Sequence, residues 1–413
     1  MSKEVSQLIT QKALAIGFNN IKFIEAKPLL DSEEHFLEWR KKGYAADMDY
    51  LLKDDPIHAR PEYLLENAKT LIMMTANYYS PCPPRPSLEH GRIASYAVGL
   101  DYHKVLKQKI KLLMEDAEIK EVLKHAKFFT DAVPLLEKSF AKRAGLGFQG
   151  RNSLLISRET GSFNFIVEII TDLVIEPSLR EDSVVIARSV KHDVAIPSTE
   201  AGRLLRSARN DSRSPHNDDI SCGNCTRCMD ICPTNALPNE YQLDARKCIS
   251  YHTIENRNEI PEELAKNFGE WIFGCDLCQT ICPYNRKVIP SEASESRTGL
   301  PRHSVPRYDN SFPEFSPEAG FGHWLYLPEI IELQPGKHKN KSELISRLET
   351  HKFIDPSALS QIKTYLEKQN ELTEEVYDRI FQIKFARTPL LRPKRKGLIR
   401  NAEIVLRNSS TNL

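Results

Sequence analysis

The sequence lacks both an excess of charge of one sign and a long apolar segment. Its 57 Lys and Arg residues nearly balance its 56 Asp and Glu residues, which leaves a formal net charge of +1 over 413 residues. A chain with so weak an overall field is not expected to coat DNA or adhere to a membrane, so any nucleic-acid surface must be local. The most apolar windows, near residues 75 and 168, are too short or too charged to cross a bilayer. We therefore expect no membrane partner.

Export signals are also missing from the N-terminus. The segment MSKEVSQLITQKALAIGF has no basic stretch followed by an apolar one and no twin-arginine pair, so we expect a cytoplasmic protein. Thiols stay reduced in that compartment, and the nine cysteines are expected to serve metal or redox chemistry rather than disulfides. With 40% hydrophobic residues, the chain can bury the cores of two or three domains.

The pattern of apolar residues predicts an α/β protein built from several segments. Up to about residue 178, helical spacing alternates with short strand-like runs, which is typical of a layered α/β domain. A polar stretch rich in Ser, Arg and Asp follows, then a cysteine-rich segment, and then amphipathic helical segments. The predicted units are an α/β domain at 1–178, a polar connector or insertion at 179–219, a ferredoxin-like domain at 220–290 and an all-helical domain at 291–413.

Individual elements of the first segment follow from the same spacing. Asp131 lies at the exit of one predicted strand. The predicted helices cover 5–16, 104–125 and about 134–145. The predicted strands cover 21–26, 71–79, 126–132, 151–157 and 163–173.

Eight of the nine cysteines form two related motifs. CGNCTRCMDICP has the spacing C-x2-C-x2-C-x3-C-P of bacterial ferredoxins, in which the fourth cysteine binds a second cluster. CDLCQTICP matches the last three positions of the same motif, but Ile272 stands where its first cysteine is expected. Cys248, between the motifs, is the only nearby cysteine left to replace it. The spacing thus predicts two 4Fe-4S clusters with crossed ligands.

The predicted ligands of one cluster are Cys222, Cys225, Cys228 and Cys282. Those of the other are Cys232, Cys248, Cys275 and Cys278. A pair of zinc sites is the alternative, because C-x2-C pairs also bind zinc, but zinc sites need neither the C-x2-C-x2-C run nor the proline after the last cysteine. Cys82, in a proline-rich loop, is interpreted as a free thiol.

Two clusters alone describe an electron carrier, yet a whole α/β segment precedes them. The chain resembles the epoxyqueuosine reductase family, cobalamin-dependent enzymes that complete queuosine in the tRNA anticodon. The resemblance covers nearly the whole chain; the connector at 179–219 is longer than usual and residues 291–345 align with nothing. It is carried by KKGYAADMDYL, ARP, YAVGLDYHKVL, TDAVPLLEKSFAKRAGLGFQGRNSLLIS, GSFNFIVEIITDL, the cysteine motifs, RKCISYHTIE, WIFGCDLCQTICPYN and FARTPLLRPKRKGLIRNAEIVLRN.

The resemblance implies a reaction and its cofactors. Cobalamin, held between the α/β and cluster domains and reduced to Co(I) through the two clusters, would convert epoxyqueuosine to queuosine at the wobble position. An external low-potential donor would supply the electrons, and a monomer is the default. No D-x-H-x-x-G motif is present, which implies cobalamin without a protein histidine ligand. The cobalamin-contacting positions implied by the family are Arg60, Tyr102, Asp131, Leu155, Ile249, Asp276 and Leu277.

Asp131 corresponds to the family's proton donor. To be protonated near pH 7 its pKa must rise by about 3 units from a reference near 3.9. Burial against an apolar corrin face, away from cations, is the expected cause. The alternative is that Asp131 caps the helix that follows it, a common role for Asp.

The C-terminal segment contains a cluster of basic residues with only Glu403 opposing them. Such a cluster is usually a solvated face, but beside an anticodon substrate it also predicts a tRNA-docking surface. Its members are Lys384, Arg387, Arg392, Lys394, Arg395, Lys396, Arg400 and Arg407.

Two other functions remain possible from the sequence alone. One is a different cobalamin and iron-sulfur reductase, such as a reductive dehalogenase, although those typically carry a twin-arginine signal. The other is a non-enzymatic electron carrier that uses only the clusters.

Overall fold

The computed structural model describes residues 2–131, 133–178, 221–285 and 312–411. The predicted connector at 179–219 and the proline-rich stretch up to residue 311 lie outside these ranges. No helix in the described ranges is long and apolar enough to span a membrane.

A four-stranded sheet forms the centre of the N-terminal segment. Its order is β1-β2-β7-β4, and every neighbouring pair is antiparallel. The alternation of helices and strands therefore does not produce parallel crossovers here. The strands of the described chain are β1 (Asn20–Glu25), β2 (Thr70–Asn77), β3 (His90–Ile93), β4 (Ala126–Phe129), β5 (Phe148–Gln149), β6 (Leu155–Ile156), β7 (Asn164–Thr171), β8 (Trp271–Phe273) and β9 (Trp324–Tyr326).

Helices cover both faces of this sheet, which confirms the layered α/β fold. One face buries Met74 and Val167 against α1, α4 and α5, and the other buries Met73 and Ile170 against α6. Alternate residues of each strand thus enter different cores, as the period of two requires. The helices of this segment are α1 (Ser2–Ile16), α2 (Leu30–Lys41), α3 (Asp49–Leu52), α4 (Tyr102–Glu115), α5 (Ala117–Val122) and α6 (Glu137–Arg143).

Several predicted elements differ from the observed ones. The long helix expected at 104–125 is broken into α4 and α5, because the Asp116 side chain accepts hydrogen bonds from the N–H groups of Glu118 and Ile119 and so starts a second helix. The helix expected from about residue 134 begins at Glu137. The strand expected at 151–157 is reduced to β6, which pairs only with β5. Helix α2 was not predicted, since it has no fully buried residue to reveal a periodic apolar face.

A second sheet joins the three segments of the chain. Its order is β8-β3-β9, so it takes one strand from each segment. Gly91 in β3 permits this close packing, because a Cβ there would lie 2.7 Å from Leu327 Cδ2. Strand β9 was not predicted in the segment expected to be all-helical. The remaining helices are α7 (Arg227–Asp230), α8 (Ile249–Ile254), α9 (Glu262–Ala265), α10 (Leu277–Thr280), α11 (Leu327–Ile331), α12 (Lys341–Thr350), α13 (Pro356–Glu367), α14 (Glu374–Lys384) and α15 (Lys394–Thr411).

Candidate active site and cluster sites

Four cysteines from the two motifs surround one cavity. The short helices α7 and α10, one from each motif, pack against each other and bring distant thiols together. The backbone N–H of Arg151 in the α/β segment donates to Cys222 Sγ at 3.4 Å, which ties this cavity to the first domain. The cysteines that line it are Cys222, Cys225, Cys228 and Cys282.

The other four cysteines lie together beside the first set. Cys248, placed just before α8, is close enough to Cys232 and Cys278 for the thiol charges to interact. Cys275 interacts in the same way with Cys248 and Cys278. The charge of Cys228, in the first set, also acts on Cys278, so the two sets lie near each other. The structure thus brings the eight thiols near one another, with the first set around a cavity, while the division of the thiols between two clusters and their ligation remain predictions.

Burial opposes the ionisation of the most enclosed thiols. It raises the pKa of Cys282 to about 11 and the pKa values of Cys275 and Cys278 further above the ordinary thiol range. Metal ligation requires the thiolate, so bound iron must supply the charge that overcomes burial. Four thiols around a cavity are a donor set that suits an iron-sulfur cluster.

Asp131 lies directly after β4 in a left-handed backbone conformation, with φ of 48°. Its carboxylate accepts a hydrogen bond from the Tyr102 hydroxyl, and His103 Nε2 lies 3.5 Å from the same oxygen. Its backbone N–H donates to Glu137 Oε1 at 2.9 Å. Asp101 caps α4 and holds His103 Nδ1 at 2.9 Å, so the start of α4 aims two side chains at Asp131. Asp131 does not cap α6, whose N-cap is Leu136 without a side-chain hydrogen bond.

The charge state of Asp131 differs from the sequence-based expectation. Burial tends to raise its pKa, but hydrogen bonds from His103 and Tyr102 outweigh this effect and hold the pKa below the ordinary value. Burial lowers the pKa of His103, yet Asp101 and Asp131 raise it to about 9. The expectation of a carboxyl remote from cations with a raised pKa is therefore wrong for the chain without ligands. Its side chain is 63% exposed, although the surrounding protein desolvates the carboxyl.

The acid that keeps its proton near neutral pH at this site is Glu137. Burial, followed by the charge of Asp131, raises the pKa of Glu137 to about 8. Burial lowers the pKa of the neighbouring Lys138. Neither residue was predicted, because EKSFAKR looks like an ordinary amphipathic helix start.

Residues of all three segments lie near Asp131, and the space that they border is called the recess below. Lys138 is close enough to Cys278 for their charges to interact, which places the site beside the second cysteine set. Burial and the charges of Glu255 and Asp131 raise the pKa of Tyr50 to about 12. Glu255 in turn pairs with Arg392 of the C-terminal segment, with Nε and Oε1 2.8 Å apart.

The other family-implied cobalamin positions are only partly gathered at this recess. Ile249 and Asp276 are buried beside the second cysteine set, where Asp276 accepts hydrogen bonds from the N–H and O–H groups of Ser95. Leu277 begins α10 between two cysteines of that set. Leu155 is packed into the core under α6.

Arg60 has a different partner in the structure. It forms an ion pair with Glu33, with Nη2 and Oε2 3.0 Å apart. Its contact with cobalamin remains a prediction.

The basic cluster of the C-terminal segment is not one surface. Lys384 is buried with Glu329 and His351, and Arg395 is buried against Asp378 and the carbonyl of Leu333. Arg392 pairs with Glu255, and Arg400 donates to backbone carbonyls of the cluster segment, including that of His252. The expectation that all eight residues face RNA is therefore wrong, because half of them join elements of the protein. The other members are exposed, and one of them, Lys396, lies 3.6 Å from the Glu374 carboxylate; they are Arg387, Lys394, Lys396 and Arg407.

Comparisons with known proteins agree on one family. A model of the 4Fe-4S double cluster binding domain matches residues 221–285, and a model described as epoxyqueuosine reductase QueG, DUF1730, matches residues 59–132. The epoxyqueuosine reductase of Cellulophaga algicola is 36% identical over 289 residues, covering 69% of this chain and 80% of the relative. That of Escherichia coli is 31% identical over 392 residues, covering 90% and 93%.

A solved structure shares the fold. It is an epoxyqueuosine reductase with an epoxyqueuosine-modified tRNA-Tyr stem loop, and it aligns with a TM-score of 0.66 over 99% of this chain and 82% of its own, at 23% identity.

Proposed function

The chain belongs to the epoxyqueuosine reductase family, and from this premise we propose that it reduces epoxyqueuosine to queuosine at the wobble position of a tRNA anticodon. The observation that supports the proposal is the position of the Asp131 site. Lys138, next to Asp131, is near enough to Cys278 for their charges to interact, so the site lies near the eight thiols. A proton-delivering carboxyl next to an electron-transfer module is the arrangement that a reductive deoxygenation needs.

The electron path begins at an external low-potential donor and runs through two 4Fe-4S clusters. The first cluster is bound by the cysteine set at the Arg151 cavity, and the second by the set beside Lys138. One chain contains both sets and the Asp131 recess, which supports a monomer as the working unit.

The recess between the α/β and cluster segments takes the corrinoid. When bound, cobalamin supplies the strongly reducing cobalt centre that acts on the epoxide. Both ring nitrogens of His103 face carboxylates, those of Asp101 and Asp131, which supports a cobalamin without a protein histidine ligand. Burial of Ile249 and Asp276 next to the second cysteine set supports a short distance between that cluster and the corrinoid.

The residues of this chain orient the substrate and manage its protons. We infer that Asp131 gives a proton to the departing epoxide oxygen, which requires that the bound cofactor and substrate raise its pKa from the low value of the chain without ligands, while Tyr102 and His103 hold its carboxyl in place. The wobble nucleoside must leave the stacked anticodon loop to reach this recess, as enzymes that act on bases require. Exposed Lys394 and Lys396 are candidates for phosphate contacts that hold the tRNA.

The decisive experiment is nucleoside analysis of epoxyqueuosine-containing tRNA. The tRNA is incubated with the reconstituted chain, cobalamin and a low-potential reductant, with a matched reaction that omits cobalamin. We expect queuosine only in the complete reaction. Unchanged epoxyqueuosine, with iron and cobalamin both bound, would contradict the proposal and favour an electron carrier.

A further inference from the structure

A buried histidine, His58, contacts the segment that links Asp131 to α6. It ends a short 3-10 helix, Pro56–His58, and its exposed fraction is 3%. Its Nδ1 lies 2.5 Å from the carbonyl oxygen of Pro134, and its own carbonyl accepts a hydrogen bond of 2.7 Å from the N–H of Leu136. A single residue therefore holds both a carbonyl and an N–H of the linking segment.

The hydrogen-bonding roles of the His58 ring follow from its partners. A carbonyl oxygen only accepts, so Nδ1 must carry the proton that is shared with Pro134. The other ring nitrogen, Nε2, lies 3.4 Å from the carbonyl oxygen of Lys53. Phe36 of α2 packs against the imidazole, with ring centroids 4.6 Å apart. Close packing restricts the rotation of a buried ring, so His58 is a fixed donor directed at the linking segment.

Asp131 requires support from its neighbours because its backbone conformation is unfavourable. Its φ of 48° lies in the left-handed region, which costs free energy for a non-glycine residue and persists only where the surrounding structure fixes it. Before Asp131, β4 is fixed by its pairing with β7 up to Phe129. After it, the linking segment is held by His58 and by Leu135, which is buried in the core under α6. The direction of the Asp131 carboxylate therefore depends on both sides of the residue.

The position of Asp131 also determines the surroundings of His103. His103 Nε2 lies 3.5 Å from the Asp131 carboxylate, and its Nδ1 lies 2.9 Å from the carboxylate of Asp101. If the linking segment moved, the imidazole would lose one of these two carboxylates and keep the other. The state of His103 therefore reports where Asp131 lies.

We propose that His58 is a positioning residue for the reduction, which holds the linking segment so that the Asp131 carboxylate keeps its contacts with α4 and stays at the recess. This inference rests on the proposed function. His58 acts through the backbone of Pro134 and Leu136, and it takes part in no bond-breaking or proton-transfer step.

Two substitutions separate the hydrogen bond of His58 from the packing of its ring. His58→Asn places an amide nitrogen near the position of Nδ1, and this nitrogen still donates to the carbonyl of Pro134. His58→Leu fills a similar volume but has no donor. His35→Leu, at an exposed histidine of α2, is the matched control.

The first test measures the position of Asp131 without turnover. The pKa of His103 is followed by NMR in histidine-labelled protein that contains its clusters but no cobalamin or tRNA, and His103→Gln assigns the signal. Burial lowers this pKa, but Asp101 and Asp131 raise it to about 9, and Glu137 also lies near the ring. We expect that value in the unmodified protein, in His35→Leu and in His58→Asn.

The variant without a donor should differ. In His58→Leu the pKa of His103 should fall by about 1 unit or more, because a neighbouring carboxylate that favours the charged imidazole has moved away. An unchanged titration of His103 in a folded His58→Leu protein would overturn the proposal.

The second test compares the rate of conversion with the affinity for tRNA. His58→Leu should slow single-turnover conversion by about 10- to 100-fold, since displacement of a reacting group by about 1 Å has an effect of this size. The iron content and the tRNA affinity should not change, because His58 belongs neither to the cysteine sets nor to the C-terminal segment. His58→Asn should recover most of the rate. If His58→Asn is as slow as His58→Leu, the hydrogen bond does not position Asp131 and the proposal is overturned.

Two further outcomes are distinguishable. If His58→Leu does not fold, the ring of the unmodified protein decides, because nitrogen chemical shifts show which ring nitrogen carries a proton. A proton at Nδ1 supports the proposal, and a ring protonated only at Nε2 overturns it. If the unmodified protein makes no queuosine while His58→Leu still lowers the pKa of His103, the proposed function fails and the positioning of Asp131 by His58 stands.

Discussion

Burial raises pKa values both in the cysteine sets and among the carboxyl groups near Asp131, but the consequences differ. In the cluster segment, burial raises the pKa values of thiols such as Cys278, and bound metal must overcome it before the site forms. Near Asp131, burial raises the pKa of Glu137 and Glu168, and these two acids need no bound ligand to keep their protons near neutral pH. The first region therefore depends on a ligand from outside the chain, while the second is complete once the sheet has folded.

This difference predicts different responses to substitution. Each thiol of a set is one of four predicted ligands of the same 4Fe-4S cluster, so the loss of one thiol should abolish that cluster. A carboxyl near Asp131 is no predicted ligand of a cluster, so its loss should change a rate or the stability while the clusters remain. The following predictions separate the two regions, in order of decreasing effect.

The largest effect is expected for Cys248→Ser. Cys248 is the one predicted ligand that lies outside both motifs, and its removal should eliminate the second cluster and all queuosine formation. Iron analysis and electron paramagnetic resonance of the reduced protein measure the cluster, and nucleoside analysis measures the product. Cys82→Ser, at the thiol outside both sets, is the matched control and should retain both clusters. Full iron content and activity in Cys248→Ser would show that the second set is assigned wrongly.

The next effect is expected for Asp131→Asn. Loss of the proton donor should slow conversion by about 100- to 10,000-fold, the usual range for a general acid. Iron and cobalamin contents should be unchanged, because no thiol is touched. Asp172→Asn, at an exposed aspartate directly after β7, is the control. A rate within twofold of the unmodified protein would remove Asp131 from the reaction.

The same contrast explains how much the sequence could predict. Seven of the eight cysteines follow short motif spacings, and Cys248 was assigned because it was the only nearby cysteine left for the position that Ile272 occupies. Glu137 follows Asp131 by only 6 residues, but Tyr102 of α4 and Glu168 of β7 are distant in the chain, and only the tertiary fold brings them near Asp131. A single Glu inside the apolar strand NFIVEIIT was the available signal for Glu168. The local sequence pattern also could not predict the antiparallel order of the sheet or strand β9, because both depend on which distant strands pair.

A smaller effect is expected on stability from Glu168→Leu. Glu168 is fully buried in β7, and neither of its carboxyl oxygens has a hydrogen-bond partner among the described residues. An unpartnered buried polar group costs about 1–3 kcal/mol, so its replacement by an apolar side chain should raise the free energy of unfolding by a similar amount. The folded-state pKa of Glu168 lies above its unfolded value near 4.3. The native chain therefore holds a proton that the unfolded chain releases, and stability that is present below about pH 4.3 is lost as the pH rises toward the folded-state value.

Thermal unfolding at pH 5 and pH 8 measures this effect. The advantage of Glu168→Leu over the unmodified chain should grow with pH. Glu168→Gln separates the two causes, since it removes the titration but keeps an unpartnered polar group; its melting temperature should depend less on pH without a gain at pH 5. A Leu variant that is less stable at both values would mean that the carboxyl has a partner in solution.

The smallest effect is expected in the C-terminal segment, where charges also divide into structural and available groups. Lys394 and Lys396 are exposed on either side of Arg395, which is buried against Glu374 and Asp378. Replacing both lysines with Ala should weaken tRNA binding several-fold and reduce the slope of log affinity against log salt by about 1 to 2, since each phosphate contact contributes slightly less than one. The melting temperature should not change. Arg395→Ala should lower the melting temperature and leave the salt dependence of tRNA binding unchanged. It leaves two carboxylates without their buried partner and removes no exposed charge. If Arg395→Ala instead reduces the slope of log affinity against log salt and leaves the melting temperature unchanged, burial does not decide which charged residues of this segment contact RNA.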